Sequence, residues 1–322
     1  MMNYSKEVSA GYLFNGSKND PVHRISSIFQ ISDGLIQKNK NAVDHTLRFI
    51  RTNCPMLDTF LDKLIGSPQQ TDDFVPSTAA IVNLTKKIHE EDRRKMTNEM
   101  YVKHLFYTAY LVDEMNEEKN HTPNQRDLIT AVAFLHDTIE LKRKKVDTAN
   151  YEAADFYNLL MTTEIEGSTV LKDWDNKDIK KIAIMVSLMT PPDKSIETPA
   201  DEWHKIKRED FYFLMDITKE QVRERSEILD LDRIQLSEND FEEMAQIIRD
   251  VKVAEVLANL RETADDVMWS RDGHNNPNMR DFAERYKMFT ERTEYFRSLS
   301  LNELYVAQME ADMQILNDFV GS

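Results

Sequence analysis

Apolar residues recur at helical spacing along almost the whole chain. After Ser77, a residue able to cap a helix start, the run AAIVNLTKKIHEEDRR sets Ile81, Leu84 and Ile88 three and four positions apart, which places them on one helical face. A broader stripe follows, carrying Tyr101, His104, Leu105, Tyr107, Ala109, Leu111 and Val112. Thr122-Pro123 is a strong start signal, an N-cap followed by proline at the first helical position. The helix it opens, NQRDLITAVAFLHDTIE, turns nearly continuously apolar before ending in charge, so it is expected at the centre of a domain. The pattern predicts further helices over 22–53, 55–65, 151–163, 176–189, 201–217, 219–229, 238–268 (with Ser237 as cap), 277–298 and 302–319. The first two are broken near Asn53 and Cys54-Pro55, and the second ends at Gly66-Ser67-Pro68. The acidic, Gln-rich stretch PQQTDDFVP reads as a linker. It divides the chain into an N-terminal helical region (1–76, role open), a main domain (77–300) and a C-terminal helix (301–322).

Composition narrows the class. Among 322 residues there are 7 Gly and 9 Pro, too few for the many tight turns of a sandwich or barrel, so the expected fold is all-α. Lys+Arg number 41 and Asp+Glu 57, a formal net charge of −16, which argues against a nucleic-acid partner. The longest apolar runs, such as 128–135, fall far short of the roughly 20 residues that span a bilayer, so no membrane association is expected. The N-terminus lacks the basic and apolar segments of a secretory signal. A single cysteine, Cys54, rules out an internal disulfide and fits a reducing, cytoplasmic setting.

The chemistry centres on His136-Asp137, which follows Ala131-Val132-Ala133-Phe134-Leu135. An ionisable pair beside a core is costly unless it meets a cation, and a divalent metal would resolve the conflict. Glu140, four residues after His136, shares its face if the helix persists, and Glu255 and Asn259 repeat that spacing inside IIRDVKVAEVLANLRE, where the other positions are mostly apolar. His104 brings an imidazole from a third helix. Together these helices could supply two imidazoles and two carboxylates, a mixed set suited to Mn²⁺, Fe²⁺ or Zn²⁺. Each residue also has a plainer reading. His104 alone resembles a core histidine bonded to a carbonyl, and Glu255 with Asn259 an ordinary solvent-facing pair.

In this order the elements resemble the HD-domain metal phosphohydrolases, and more closely their Rel/SpoT-type branch, which includes the small alarmone hydrolases. The branch's helix ending in His, five residues before Arg-Lys and followed by Tyr-x-x-His, resembles His89, Arg94-Lys95 and Tyr101-Val102-Lys103-His104. Its Phe-Leu-His-Asp-Thr-Val-Glu-Asp element resembles the segment from Phe134 to Leu141, and its Val-Lys-Leu-Ala-Asp-x-x-x-Asn-Leu-Arg element the segment from Val251 to Arg261. The likeness covers about 77–270, and it departs at two places. Glu255 stands where the family has a ligating Asp, and Leu141 where it has the second acid of a Glu-Asp doublet.

The resemblance implies a multi-helix HD-domain bundle with extra N-terminal helices, and a hydrolase removing the 3′-pyrophosphate of (p)ppGpp with Mn²⁺. It implies His104, His136, Asp137 and Glu255 as metal ligands, Glu140 and Asn259 as catalytic residues around the attacking water, and Arg94, Lys95 and Tyr101 as substrate-binding residues. Lys205, Lys207 and Arg208 would add to the basic cluster that an acidic protein needs to hold an anionic nucleotide. Two alternatives stay open: an HD phosphohydrolase of a nucleoside mono- or triphosphate, and a non-catalytic nucleotide-binding regulator. Homo-oligomerisation is compatible with the sequence but not specified by it.

Overall fold

Helix starts and stops fall where the side chains require them. At Thr122 the hydroxyl accepts from the Gln125 backbone N–H, and the Gln125 carboxamide accepts in return from the Thr122 backbone N–H, a reciprocal capping box with Pro123 in the first turn. Asp175 caps a later helix by accepting from Lys177 N, and Thr218 with Gln221 builds a second capping box. Gly66 ends the second helix at φ 85°, in the region glycine favours.

The computed structural model describes residues 24, 25, 28, 29, 33–67, 76–89, 92, 101–117, 121–145, 150–165, 168–169, 171–192, 199–271, 279–299 and 303–320. It is all-α, with helices α1 (Asp33–Asn53), α2 (Leu57–Ile65), α3 (Ser77–His89), α4 (Val102–Asn116), α5 (Pro123–Leu135), α6 (Thr138–Arg143), α7 (Ala153–Thr162), α8 (Asn176–Met189), α9 (Ala200–Met215), α10 (Lys219–Leu229), α11 (Glu238–Arg271), α12 (Met279–Ser298) and α13 (Glu303–Val320). Among the described residues the one extended pairing is a two-residue antiparallel ladder, β1 (Glu164–Ile165) with β2 (Ser168–Thr169). No described helix is long and apolar enough to cross a membrane.

Backbone proximity separates two compact units, Met1–Lys103 and His104–Ser322. The division therefore falls inside α4 rather than at the acidic stretch 68–76, most of which lies outside the described residues. Residues 77–103, expected in the main domain, group with the first unit, and the C-terminal helix belongs to the second.

In the first unit α2 packs on α3, with the Thr78 hydroxyl donating to Leu64 O at 2.9 Å and Arg24 holding Asp62 at 2.9 Å. The buried Lys103 lays its ammonium 4.4 Å over the Phe49 ring.

In the second unit α11 is the axis. Ile247, Ile248, Val251, Val253, Val256, Leu257 and Leu260 are all buried, apolar on nearly every side, because α5, α8, α9, α10 and α13 surround the helix. The expected central helix, α5, buries Leu128, Ile129, Val132, Phe134 and Leu135 against α8 and α11, each side chain contributing about 1.5–3 kcal/mol. Helix α8 is buried along its length, including Lys181, whose ammonium meets Asp240 at 2.8 Å and Glu243 at 2.7 Å. Helix α13 packs on α11 and α12, and there the Arg261 guanidinium meets the buried Asp312 carboxylate at 3.0 Å.

Candidate metal centre

The buried end of α5 delivers His136 into the interior of the second unit. α5 closes at Leu135, and His136 and Asp137 form a two-residue joint before α6, so the single persistent helix expected through Glu140 is interrupted. Both joint residues stay in the right-handed region, at φ −55° and −93°, and Leu141 N still donates to Asp137 O at 3.0 Å. The joint turns both side chains toward His104 on α4. One ligating atom from each of His104, His136 and Asp137 lies within 4.8 Å of the others, an N, N, O triad with both imidazoles buried.

The second nitrogen of each ring is directed elsewhere. His136 Nδ1 lies 2.8 Å from Ala133 O, which assigns the proton to Nδ1 and leaves Nε2 as the free donor of a lone pair. That Nε2 is buried, has no hydrogen-bond partner among the described residues, and sits 3.2 Å from Asp137 Oδ2. His104 Nδ1 faces the buried Glu262 carboxylate at 3.4 Å, and its Nε2 lies 3.8 Å from Asp137 Oδ2. A carbonyl or carboxylate behind each imidazole is the arrangement that orients metal-ligating histidines. The donor set and the unbonded buried nitrogen fit a divalent ion.

Electrostatics point the same way. Burial alone would depress His136, but the adjacent Asp137 carboxylate, the Glu255 charge and the Ala133 carbonyl together raise its pKa to about 9. Glu255 is pushed up by burial, yet the Lys252 ammonium and the His136 imidazole outweigh this and hold its carboxyl below the ordinary range. Glu255 therefore acts on both His136 and Asp137, but it is not one of the three residues whose ligating atoms converge. Its Oε2 accepts from Lys252 Nζ at 2.9 Å.

Glu140 is also engaged: its Oε1 accepts from Lys144 at 2.5 Å and meets Lys207 at 3.5 Å. Asn259 is half-buried one turn beyond Glu255 on α11. Of the three basic residues expected on α9, Lys207 alone reaches this cluster; Lys205 pairs along its own helix with Glu209 at 3.7 Å, and Arg208 with Glu291 at 3.0 Å. Arg94 and Lys95 lie outside the described residues. Tyr101 belongs to the first unit, where its ring stacks on His89 at 6.0 Å and its N–H donates to Asp92 O. The His89 ring nitrogen Nδ1 is bonded to Asp92 Oδ2 at 2.8 Å, a buttressing role for that helix end.

Four residues of the neighbourhood were not singled out by sequence reasoning. Glu262 had a legible signal, since it lies seven residues beyond Glu255 and three beyond Asn259, on the same helical face. Lys252 and Asp210 carried no pattern of their own. The Asp210 pKa is pushed up to about 6, chiefly by burial and also by Glu255 and Glu140, against the opposing pull of Lys252 and Lys207. Arg292 of α12 is buried 4.7 Å over the Phe211 ring; burial pulls its pKa down, while Glu255 and Asp210 hold it up. The triad thus has Glu262 at His104 and, around it, the carboxylates Glu140, Asp210 and Glu255 interleaved with Lys207, Lys252 and Arg292. Comparison of the chain with known family models, with curated proteins and with solved structures finds no match.

Proposed function

We propose that this protein is a metal-dependent phosphohydrolase of the HD type, and that its substrate is an alarmone-class nucleotide, (p)ppGpp, from which it removes the 3′-pyrophosphate. The observation that carries the reading is the buried convergence of His104, His136 and Asp137, each imidazole backed by an oxygen on its far nitrogen. His104 Nε2, His136 Nε2 and an Asp137 oxygen would hold the ion, with the Glu255 charge close by; Mn²⁺ suits this mixed set, as do Fe²⁺ and Zn²⁺. When bound, such an ion lowers the pKa of a coordinated water and offsets phosphate charge.

The chain's own groups supply the rest. Asp137 and Glu255 add negative charge that favours a cation in the pocket. Lys207, with its side chain 40% exposed, can meet substrate phosphate, whereas Lys252 is buried and acts by holding Glu255. The Asp210 carboxyl, at about 6, exchanges its proton near neutrality and is placed to relay one at the rim. Glu140 keeps Lys207 turned toward the joint.

The test is incubation of the purified protein with Mn²⁺ and a nucleotide panel including ppGpp, scoring pyrophosphate against phosphate, with Asp137→Ala alongside. Pyrophosphate and GDP from ppGpp, lost in the variant, support the reading; equal activity in the two proteins overturns the site, and phosphate or triphosphate release overturns the substrate. One observation favours a second reading, a non-catalytic nucleotide-binding regulator. Glu140 is occupied by two ammonium groups, and its neighbour is Leu141 rather than a second acid. A metal-loaded protein that binds ppGpp without turnover would support that alternative.

A further inference from the structure

Beside α6, a cleft of about 640 Å³ lies within the range that holds a small organic ligand. Ile139 and Arg143, one turn apart on α6, form one wall, and α8, α9 and α10 supply the others. Two features separate this cleft from a plain surface groove. Its apolar lining includes Phe213 and Ile228, which are 39% and 73% exposed and belong to the few large apolar side chains left open to water among the described residues. Leu188, Pro191 and Pro192 extend the apolar surface.

Its polar lining is unevenly committed. Arg143 is spent on the framework: Nε donates to Tyr151 O at 2.9 Å, Nη2 to Glu152 at 2.7 Å, and Nη1 reaches Pro191 O at 3.5 Å. That leaves the Glu152 charge neutralised and the loop at Pro191 braced. Arg225 is different. Its Nη2 donates to Ser187 Oγ at 2.8 Å, while its buried Nε has no hydrogen-bond partner among the described residues. The Gln221 Oε1 is held by the capping box with Thr218, which leaves its NH₂ as a further donor on the same helix. Asp210 and Glu224 also line the cleft; Asp210 is drawn on by Lys207 and Lys252, Glu224 is exposed to water, and neither is hydrogen-bonded to the Arg225 Nε. A guanidinium whose buried Nε has no partner among the described residues, in a cleft lined also by a hydroxyl, an amide and an exposed phenyl ring, fits a ligand with an anionic head and a flat apolar body.

We propose that this cleft, whose lining includes none of His104, His136 and Asp137 and which meets their surroundings at Asp210, is a further ligand site, taking a phosphate monoester that carries a planar ring, of mononucleotide size. Arg225, Ser187 and Gln221 receive the phosphate, and Phe213, Ile228 and Pro191 cover the ring. Because α6 follows Asp137 directly and also carries Glu140, an occupied cleft would press on the element that holds the joint.

The test uses the full-length Asp137→Ala protein, stripped of metal with a chelator, so that the result does not depend on the proposed hydrolase. Calorimetric titration with guanosine 5′-monophosphate is expected to give saturable one-to-one binding, with guanosine alone and inorganic phosphate alone each at least tenfold weaker. Arg225→Gln is expected to lower the affinity for the monophosphate at least tenfold. The exposed Ile228→Ser, which removes apolar cover without adding charge, should lower the affinity for guanosine and for the monophosphate but leave inorganic phosphate unchanged. No saturable binding at millimolar nucleotide, or binding unaltered by Arg225→Gln in a protein of unchanged melting profile, overturns the proposal.

Discussion

The clearest quantitative consequence of the site concerns the proton on His136 when metal is removed. Its pKa stands at about 9 against an ordinary 6.5, raised by Asp137, Glu255 and the Ala133 carbonyl in spite of complete burial. The linkage follows from that direction. The folded protein holds the proton more tightly than the unfolded chain, so the added stability is fully present below pH 6.5 and is lost as pH rises through about 9. A shift from 6.5 to about 9 corresponds to about 3 kcal/mol in the metal-free protein. Asp137→Asn removes the strongest of the raising influences and leaves burial opposed only by Glu255 and the Ala133 carbonyl, so the imidazole pKa should fall. The direct assay is a ¹³C-histidine NMR titration of chelator-treated protein, with the signal identified among 8 histidines by its loss in His136→Gln. Wild type is expected to show one imidazole titrating near 9, absent from that range in Asp137→Asn, and metal affinity should rise about tenfold per pH unit up to that point as proton and ion compete. A His136 signal titrating at or below 6.5 in wild type, or unmoved by Asp137→Asn, would refute the reasoning.

Three further outcomes are expected. Thr122→Ala removes the hydroxyl half of the capping box that starts α5 and should cost about 1 kcal/mol in chemical denaturation, with Gln125→Ala not additive to it. Glu262→Gln should weaken metal affinity about 10–100-fold, read by competition with a fluorescent chelator, because the carboxylate behind His104 is lost while all three converging donors remain. Asp210 binds its proton in the folded protein up to about pH 6, whereas an ordinary carboxyl releases it near 3.8, so stability should fall as pH rises from 3.8 through 6; melting of Asp210→Asn should lack that slope.

What the sequence disclosed is what short-range periodicity can carry. The apolar run into Leu135, the Thr122-Pro123 start and the small number of glycines led to an all-α chain with α5 at its centre, and α8 and α10 span 176–189 and 219–229 as the pattern predicts. His104, His136 and Asp137 could be proposed as neighbours because each stands out as polar within an apolar stretch. Three kinds of information were out of reach. Periodicity does not reveal that a helix pauses for two residues at His136-Asp137, because both residues keep helical dihedrals. The Glu140–Lys144 pair is the local i,i+4 contact that spacing allows, whereas the approach of Lys207 to Glu140 comes from another helix, α9, and no local pattern announces it. Asp210 and Arg292 owe their significance to neighbours on other helices, and no local pattern marks them.

The charges around the centre favour a cation there. Asp137, Glu255 and Glu262 surround two buried imidazoles, while Lys252 is already committed to Glu255. Without metal, the protein answers this excess by keeping a proton on His136 to well above neutrality, so that a cationic imidazolium occupies the place where a lone pair could serve. Under the proposed function a divalent ion would release that proton and contribute one more positive charge than the proton did, easing the approach of an anionic substrate to a chain of net charge −16. Proton and metal are therefore alternative occupants of one electrostatic niche. Release of about one proton per ion bound at pH 7.5, measured in buffers of different ionisation enthalpy, is the expected signature, and binding with no proton release would refute the exchange.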